Sequence, residues 1–247
     1  MIDFGFLLTN LTYTTDPWDN IDNDDDPPFK VRCSGTKISP RIVITAGHCI
    51  YDDGKWTDGS KLRLYPGADG LDAYINRGDP SPNGWKGVYN DDGGLYVHPD
   101  WKDYGHEHDD MGWVVLKDNN SSCDLPWFGV KSLNGIDGDI INIYGYPDEE
   151  AQCTASWASS GECYASLYGN SGNCTWDGTS TMHYTIDTQP GQSGSGIYEY
   201  YGSGIERYVV GVHRGPLNTV NKGVKVNNGK ADMINWMIDH SPSSYCD

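Results

Sequence analysis

Two short stretches hold residue types that could do nucleophilic chemistry. In Thr188-Gln189-Pro190-Gly191-Gln192-Ser193-Gly194-Ser195-Gly196, a serine stands among small residues that leave its hydroxyl unshielded. The glycines permit a bend that turns successive N–H groups toward one point. Such a point can hold the negative oxygen that develops when a hydroxyl attacks a carbonyl. Gly/Ser runs are commonly plain turns, so the serine has chemical meaning only if a base lies within reach. Ile42-Val43-Ile44-Thr45-Ala46-Gly47-His48-Cys49 supplies one, because a β-branched run there ends in small residues and an imidazole. A carboxylate to orient that imidazole is available in Glu107-His108-Asp109-Asp110-Met111-Gly112-Trp113-Val114-Val115-Leu116, where an acidic pair directly precedes an apolar strand.

Thr45-Ala46-Gly47-His48-Cys49, followed far downstream by Gly191-Gln192-Ser193-Gly194-Ser195, resembles the chymotrypsin-like serine endopeptidases, whose triad arrives in the order His, Asp, Ser. The resemblance implies Ser193 as nucleophile, His48 as general base and then acid, and Asp110 as the orienting carboxylate. It also implies an oxyanion hole made by the N–H groups of Gly191 and Ser193. Asp110 fits the place immediately before the strand better than Asp109 does. Ser195 also lies between glycines, but the family pattern sets the nucleophile after Gly-x and before Gly, which selects Ser193. Gln192 occupies the place where the trypsin branch keeps an aspartate that receives a newly cut N-terminus. A glutamine cannot form that ion pair, so trypsin-style activation is not expected.

Within that family, Gly145-Tyr146-Pro147, Asp187-Thr188-x-x-Gly191-Gln192-Ser193-Gly194-Ser195 and Val210-Gly211-Val212-His213-Arg214-Gly215 resemble the glutamyl endopeptidases. The resemblance implies that Thr188 and His213 bind a substrate glutamate side chain. A hydroxyl and an imidazole suit a buried carboxylate, which is costly to desolvate unpaired. Asp187 sits where the trypsin branch keeps the aspartate that attracts arginine and lysine. It supports an alternative, cutting after Arg or Lys, but a trypsin-like pocket has no use for the imidazole of His213. The expectation is therefore a serine endopeptidase preferring Glu, or Asp, before the cut. An alternative from another class is a catalytically silent, protease-like binding module, against which stands the presence of all three triad residues. Pro190 and Gly196 depart from the branch pattern, which expects glycine and proline there.

The elements that must position these residues read as all-β. Short apolar runs at Ile42–Thr45, Leu62–Tyr65, Trp85–Tyr89, Leu95–His98 and Trp113–Leu116 are separated by turn residues. A second series follows at 140–144, 156–158, 181–186, 196–200, 208–212 and 224–226. With 31 glycines and 13 prolines, the pattern predicts two six-stranded antiparallel β-barrels and a C-terminal α-helix. The organisation expected is an acidic segment over 1–28, a barrel carrying His48 and Asp110 over 29–122, a barrel carrying Ser193 and the specificity pocket over 123–229, and a helix with tail over 230–247. Met233, Trp236, Met237 and His240 define the apolar face of that helix, with Asn227 or Asn228 near its start.

Seventeen basic against thirty-five acidic residues give a net charge of −18, which argues against nucleic acid or an anionic membrane as partner. No apolar run is long enough to span a bilayer. Protein or peptide substrates and a monomeric state are expected. Seven cysteines without a C-x-x-C favour an exported, disulfide-bonded protein, although Met1–Gly5 does not read as a signal peptide. Cys33 and Cys49 bracket the stretch leading to His48 and are expected to pair. A second bridge is expected among Cys153, Cys163 and Cys174, and another between Cys123 and Cys246. Asn10, Asn119, Asn120 and Asn173 head glycosylation acceptor triplets. The chemistry requires no metal or other cofactor. Carboxylates over 16–26 admit calcium as a structural ion, though their spacing is not that of an EF-hand, and His106 and His108 read as surface polar residues.

Overall fold

The computed structural model describes residues 5–10, 30–57, 62–66, 86–87, 94–116, 126–133, 138–147, 167–176, 178, 180–201, 206–217 and 219–240. Strands β1 (Gly5–Asn10), β2 (Lys30–Lys37), β3 (Ile42–Thr45), β6 (Leu62–Pro66), β7 (Lys86–Gly87), β8 (Leu95–Val97) and β9 (Gly112–Val115) form one sheet in the order β7-β6-β1-β2-β3-β9-β8. A separate hairpin, β4 (Tyr51–Asp52) with β5 (Lys55–Trp56), follows the histidine motif. Helix α1 (Pro99–Tyr104) and a 3₁₀ turn (Glu107–Asp109) lie between β8 and β9. His98 caps α1, its ring nitrogen accepting from Asp100 N–H at 3.3 Å.

The C-terminal half contains β10 (Gly129–Val130), β11 (Ile140–Gly145), β12 (Tyr168–Trp176), β13 (Thr181–Tyr184), β14 (Gly196–Tyr201), β15 (Glu206–Leu217) and β16 (Val220–Lys225). The chain of neighbours β15-β14-β11-β12-β13-β16 returns on itself through the β15–β16 pairing, a closed six-stranded antiparallel barrel with no free edge. β10 joins it from outside, parallel to β15. The expected closed barrel is thus present in this half. Among the described residues the N-terminal strands form an open seven-stranded sheet rather than a second six-stranded ring.

β3 is an unbroken buried run, which fits a central strand flanked by β2 and β9. Leu133, Ile141, Ile143, Met182, Tyr184, Ile186, Ile197 and Val210 fill the C-terminal barrel. A second apolar cluster is shared by both halves. It joins Ile42, Val43, Ile44 and Trp113 of the first sheet to Tyr198, Val209, Val212 and Val226 and to the C-terminal helix. The two halves therefore share one core.

That helix, α2 (Asn228–His240), starts where expected, and Asn227 supplies the cap, its side-chain oxygen accepting Lys230 N–H at 2.9 Å. Its buried face overlaps the predicted one only in part, at Met237 and the half-buried Met233. Lys230, Ile234 and Met237 are buried, whereas Trp236 is 59 % exposed and stacks on His240. The physical reason is an ion pair: Lys230 Nζ reaches Asp109 Oδ1 at 2.8 Å, with both side chains almost fully buried. Anchoring the lysine inward turns the face by about one position, which brings Ile234 in and leaves Trp236 out.

The expected Cys33–Cys49 disulfide is formed. Cys174 is buried in the barrel wall, its S–H directed to the Thr175 carbonyl. Cys123, Cys153, Cys163 and Cys246, and the acidic segment over 16–26, lie outside the described residues. None of the helices among the described residues is long and apolar enough to cross a membrane. Removing Lys230 leaves a buried carboxylate with only histidines nearby. Lys230→Ala is therefore expected to lower stability by about 3 kcal/mol in urea denaturation; a loss within error would show that Asp109 does not depend on it.

Candidate active site

The geometry of the site follows from strand register. β3 runs antiparallel to β9 with Thr45 opposite Gly112. The end of β3 and the start of β9 therefore share one edge, so His48, three residues beyond Thr45, and Asp110, two before Gly112, must emerge together. Asp110 is completely buried. Its Oδ1 accepts the His48 backbone N–H at 2.8 Å, and its Oδ2 accepts the ring N–H at Nδ1, also at 2.8 Å. Two donors from one residue fix the position and the tautomer of the imidazole, leaving Nε2 as the acceptor. Gly47 makes this approach possible, since a Cβ there would lie 2.6 Å from the Trp101 ring and 3.0 Å from Asp110 Oδ1.

The serine loop joins β13 to β14 and consists of two successive turns. Gln192 N–H donates to Gln189 O (3.2 Å), with Gly191 at the third position at φ +91°. Ser195 N–H donates to Gln192 O (3.0 Å), with Gly194 at the third position at φ +90°. Positive φ there is the type II geometry, which also favours proline at the second position. That accounts for Pro190, one of the two departures noted in the sequence. The buried Gln192 side chain locks the loop, accepting Gln189 N–H through Oε1 (2.8 Å) and donating to Tyr168 O (3.0 Å). The N–H groups of Gln192, Gly194 and Ser195 are taken by backbone carbonyls. Those of Gly191 and Ser193 find no acceptor among the described residues, as two oxyanion donors would require.

The loop is docked directly on the histidine motif. A Cβ on Gly194 would lie 2.2 Å from both Ser34 O and Thr45 Oγ1, and 3.0 Å from Ala46 N. Ser193 O accepts Ser34 N–H at 2.7 Å and lies 3.7 Å from Cys49 Sγ. Ser34, which sequence reasoning did not single out, also donates its hydroxyl to Gly191 O (3.0 Å) and accepts Tyr146 N–H (2.7 Å). Nothing but its place beside Cys33 marked it. Thr36 adds a third tie, its Oγ1 accepting Gly196 N–H. The Ser193 hydroxyl is partly exposed and donates to Arg214 O at 3.0 Å. Ser195 is fully buried and bonded to Gln192 O, which removes it as a competing nucleophile.

His213 is buried beside this loop, its carbonyl receiving Gly194 N–H and its ring Nδ1 2.6 Å from Tyr184 Oη. Burial, and to a lesser degree His48, pushes its pKa down to about 3. Burial also raises the Tyr184 pKa, so its hydroxyl keeps its proton and can donate to Nδ1, leaving Nε2–H as the donor of a neutral imidazole. Thr188 is half-buried, and Asp187 is exposed. The structure thus joins His48 to Asp110 and sets the Ser193 loop and the buried His213 beside them; among the described residues the Ser193 hydroxyl is bonded to Arg214 O and not to the His48 ring, and Asp187 is exposed.

Three groups of side chains among the described residues have atoms close enough to share a cation. Cys33, His48 and Cys49 form one, but its sulfurs are used by the disulfide. His106, His108 and Asp109 form another, and His98, Asp100 and Asp109 the third. Both of these depend on one carboxylate that already has Lys230 as a counter-ion.

Arg214 also belongs to the site, although its place in the motif after His213 did not announce a role. A bulge in the β15–β16 pairing falls between His213 and Gly215 and re-aims its side chain. Its Nε donates to Asp110 Oδ2 at 2.9 Å, while its terminal nitrogen meets Glu107 at 3.1 Å.

With this geometry in place, similarity to known proteins can be weighed. No family model matches the chain. It is 25 % identical over 218 residues to a glutamyl endopeptidase of Bacillus licheniformis, covering 83 % of this chain and 59 % of that protein. It is 26 % identical over 211 residues to an extracellular metalloprotease of Bacillus subtilis, covering 83 % and 57 %. The chain therefore spans less than two thirds of the length of these relatives. Among solved structures it resembles a Glu endopeptidase in complex with MPD (TM-score 0.66, 24 % identity, 94 % of this chain and 90 % of that one). It also resembles the thermostable serine protease AL20 from an extremophilic microorganism (0.63, 18 %, 96 % and 97 %). Protease Anisep from Arthrobacter nicotinovorans is similar too (0.65, 20 %, 96 % and 96 %). The fold is that of these proteases, and the resemblance to glutamyl endopeptidases read from the sequence is met.

The buried His213 predicts a pH effect. On unfolding its imidazole regains an ordinary pKa near 6.5, so between pH 6.5 and about 3 the unfolded chain binds the extra proton and the folded one does not. Stability should fall as pH drops through that window. His213→Asn is expected to flatten this part of the curve in denaturation series from pH 7 to 4, and an unchanged slope would mean that His213 already carries a proton in the fold.

Proposed function

We propose that the chain is a secreted serine endopeptidase that hydrolyses peptide bonds through an acyl-enzyme and prefers glutamate before the cut. The observation that carries this reading is the docking of the Ser193 loop on a histidine already held at two points by a buried carboxylate. In the reaction the Ser193 hydroxyl leaves the Arg214 carbonyl, gives its proton to His48 Nε2 and attacks the substrate carbonyl carbon. The oxyanion of the tetrahedral intermediate is received by the N–H groups of Gly191 and Ser193. His48 then hands its proton to the departing amine, which leaves an ester on Ser193. A water molecule, activated by the same imidazole, hydrolyses that ester. Asp110 stays ionised throughout and stabilises the imidazolium.

Preference for glutamate is supported by the Nε2–H of His213, a neutral donor whose burial makes an unpaired anionic partner worth satisfying. Thr188 supplies a hydroxyl on the same loop. Asp187 is exposed, which weighs against a pocket built for arginine or lysine. Export is supported by the Cys33–Cys49 disulfide and by the likeness to an extracellular protease.

Ser193→Ala is expected to abolish labelling by a fluorophosphonate and to reduce turnover to the 10³ to 10⁴-fold residue that binding and the oxyanion hole provide over water, about. Failure of folded wild-type protein to label would favour the silent binding module. In peptides differing only at the residue before the cut, Glu is expected to exceed Arg by at least about tenfold in kcat/KM, the worth of one good hydrogen bond to a charge. Cleavage after Arg alone would return Asp187 to the pocket.

A further inference from the structure

Arg214 touches both ends of the candidate triad. Its guanidinium Nε–H donates to Asp110 Oδ2 (2.9 Å), the oxygen that also accepts the His48 ring (2.8 Å), and its carbonyl holds the Ser193 hydroxyl (3.0 Å). It is itself tethered. Glu107 lies 3.1 Å from its terminal nitrogen, and Lys222 in turn holds the other oxygen of Glu107. Those two cations hold the Glu107 carboxyl below its usual range, Lys222 by the hydrogen bond it donates and Arg214 by its charge. The chain Asp110–Arg214–Glu107–Lys222 alternates in sign, with Asp110 and Lys222 buried at its ends and Glu107 exposed between them.

Among the described residues the groups facing His48 are few. Asp110 stands before β9, the neutral His213 and the cationic Arg214 come from β15, and Glu107 and Lys222 complete the relay from the 3₁₀ turn and β16. Asp109 faces the other way, toward His108 and Lys230. A fixed cation on the shared oxygen of Asp110 has two effects. It pairs the buried carboxylate without help from a protonated histidine, and it opposes the arrival of a second positive charge on the imidazole. An isolated Asp–His pair would hold that second proton more tightly.

We infer that Arg214 is a positioning residue that holds Asp110 in place and extends toward acid the pH range over which His48 can accept a proton. This rests on the proposed serine endopeptidase reading only for its kinetic form; the effect on the imidazole is a property of the charges alone.

The test compares wild type with Arg214→Gln and Arg214→Lys. The acid limb of the kcat/KM profile, and the midpoint of the His48 ring signal in NMR titrations, should both move to higher pH by about one unit in Arg214→Gln, the worth of a unit charge a few ångström away in a partly exposed site. Arg214→Lys should restore the charge and most of the shift while retaining a lowered kcat, because an ammonium cannot reproduce the fork. In wild-type protein, needing no variant to fold, the Arg214 Nε–H resonance should move as His48 titrates. Coincident acid limbs and ring midpoints for wild type and Arg214→Gln would overturn the inference, as would an Arg214 signal silent to that titration or a lysine variant shifted as far as the glutamine one. The two readings fail separately. Loss of fluorophosphonate labelling in wild type with the ring shifts intact would remove the protease and leave the role of Arg214 standing.

Discussion

Asp110 is a charge taken wholly out of water, and such a group is stable only when its lone pairs are satisfied. Three N–H donors do this: two from His48, at the end of β3, and one from Arg214, at the bulge of β15. Because the first two come from the N-terminal sheet and the third from the C-terminal barrel, the carboxylate is also a joint between the halves. Their relative position is consequently fixed at the atom where it matters most. The shared apolar cluster supplies the bulk of the attraction, but it is non-directional and would tolerate small slips. The carboxylate, with Ser34 and Thr36 holding the serine loop, does not.

The same division explains how much could be read in advance. His48, Asp110 and Ser193 were legible because each lies in a motif whose neighbours are constrained: Gly47 by the Trp101 ring and Asp110, Gly194 by Ser34 and Thr45. Ser34 and Arg214 were not, since one is an ordinary serine in a polar strand and the other acquires its direction from a bulge that no residue pattern announces. Apolar strands such as Ile42–Thr45 were found at once. β2 (Lys30–Lys37) and β12 (Tyr168–Trp176) were not among the apolar runs picked out, because neither sustains an alternation of apolar and polar residues along its whole length. The first is held by β1 and β3, the second by β11 and β13, so their structure is owed to partners rather than to propensity. Helix α2 shows the complementary error. Its existence followed from its sequence, whereas its buried face was set by Asp109, more than a hundred residues away.

Gln192 ties the local argument to the global one. Type II turns at Gln189–Gln192 and Gln192–Ser195 present the Gly191 and Ser193 N–H groups, but two consecutive tight turns could relax unless something pins their junction. In the trypsin branch that place is held by an aspartate that receives a newly cut N-terminus. Here a neutral amide does the same by donating to Tyr168 O and accepting from Gln189 N–H. The amide thus holds the loop through hydrogen bonds alone, without an ion pair at Gln192.

On the proposed reading, recognition of a glutamate by a protein of net charge −18 poses a question of range rather than of sign. Charges more than about 8 Å away are largely screened at physiological ionic strength, so the approach of a glutamate would be governed by the groups nearest Ser193. Near Ser193 these are a neutral imidazole donor and a guanidinium whose charge is already spent on Asp110 and Glu107. A protonated His213 would attract a carboxylate more strongly, yet it would also oppose the imidazolium that forms on His48, since the two rings repel when charged. A neutral ring held by Tyr184 avoids that conflict. It gives up attraction to the substrate in the ground state and spares the charge that must develop during bond cleavage, which is where catalysis is gained.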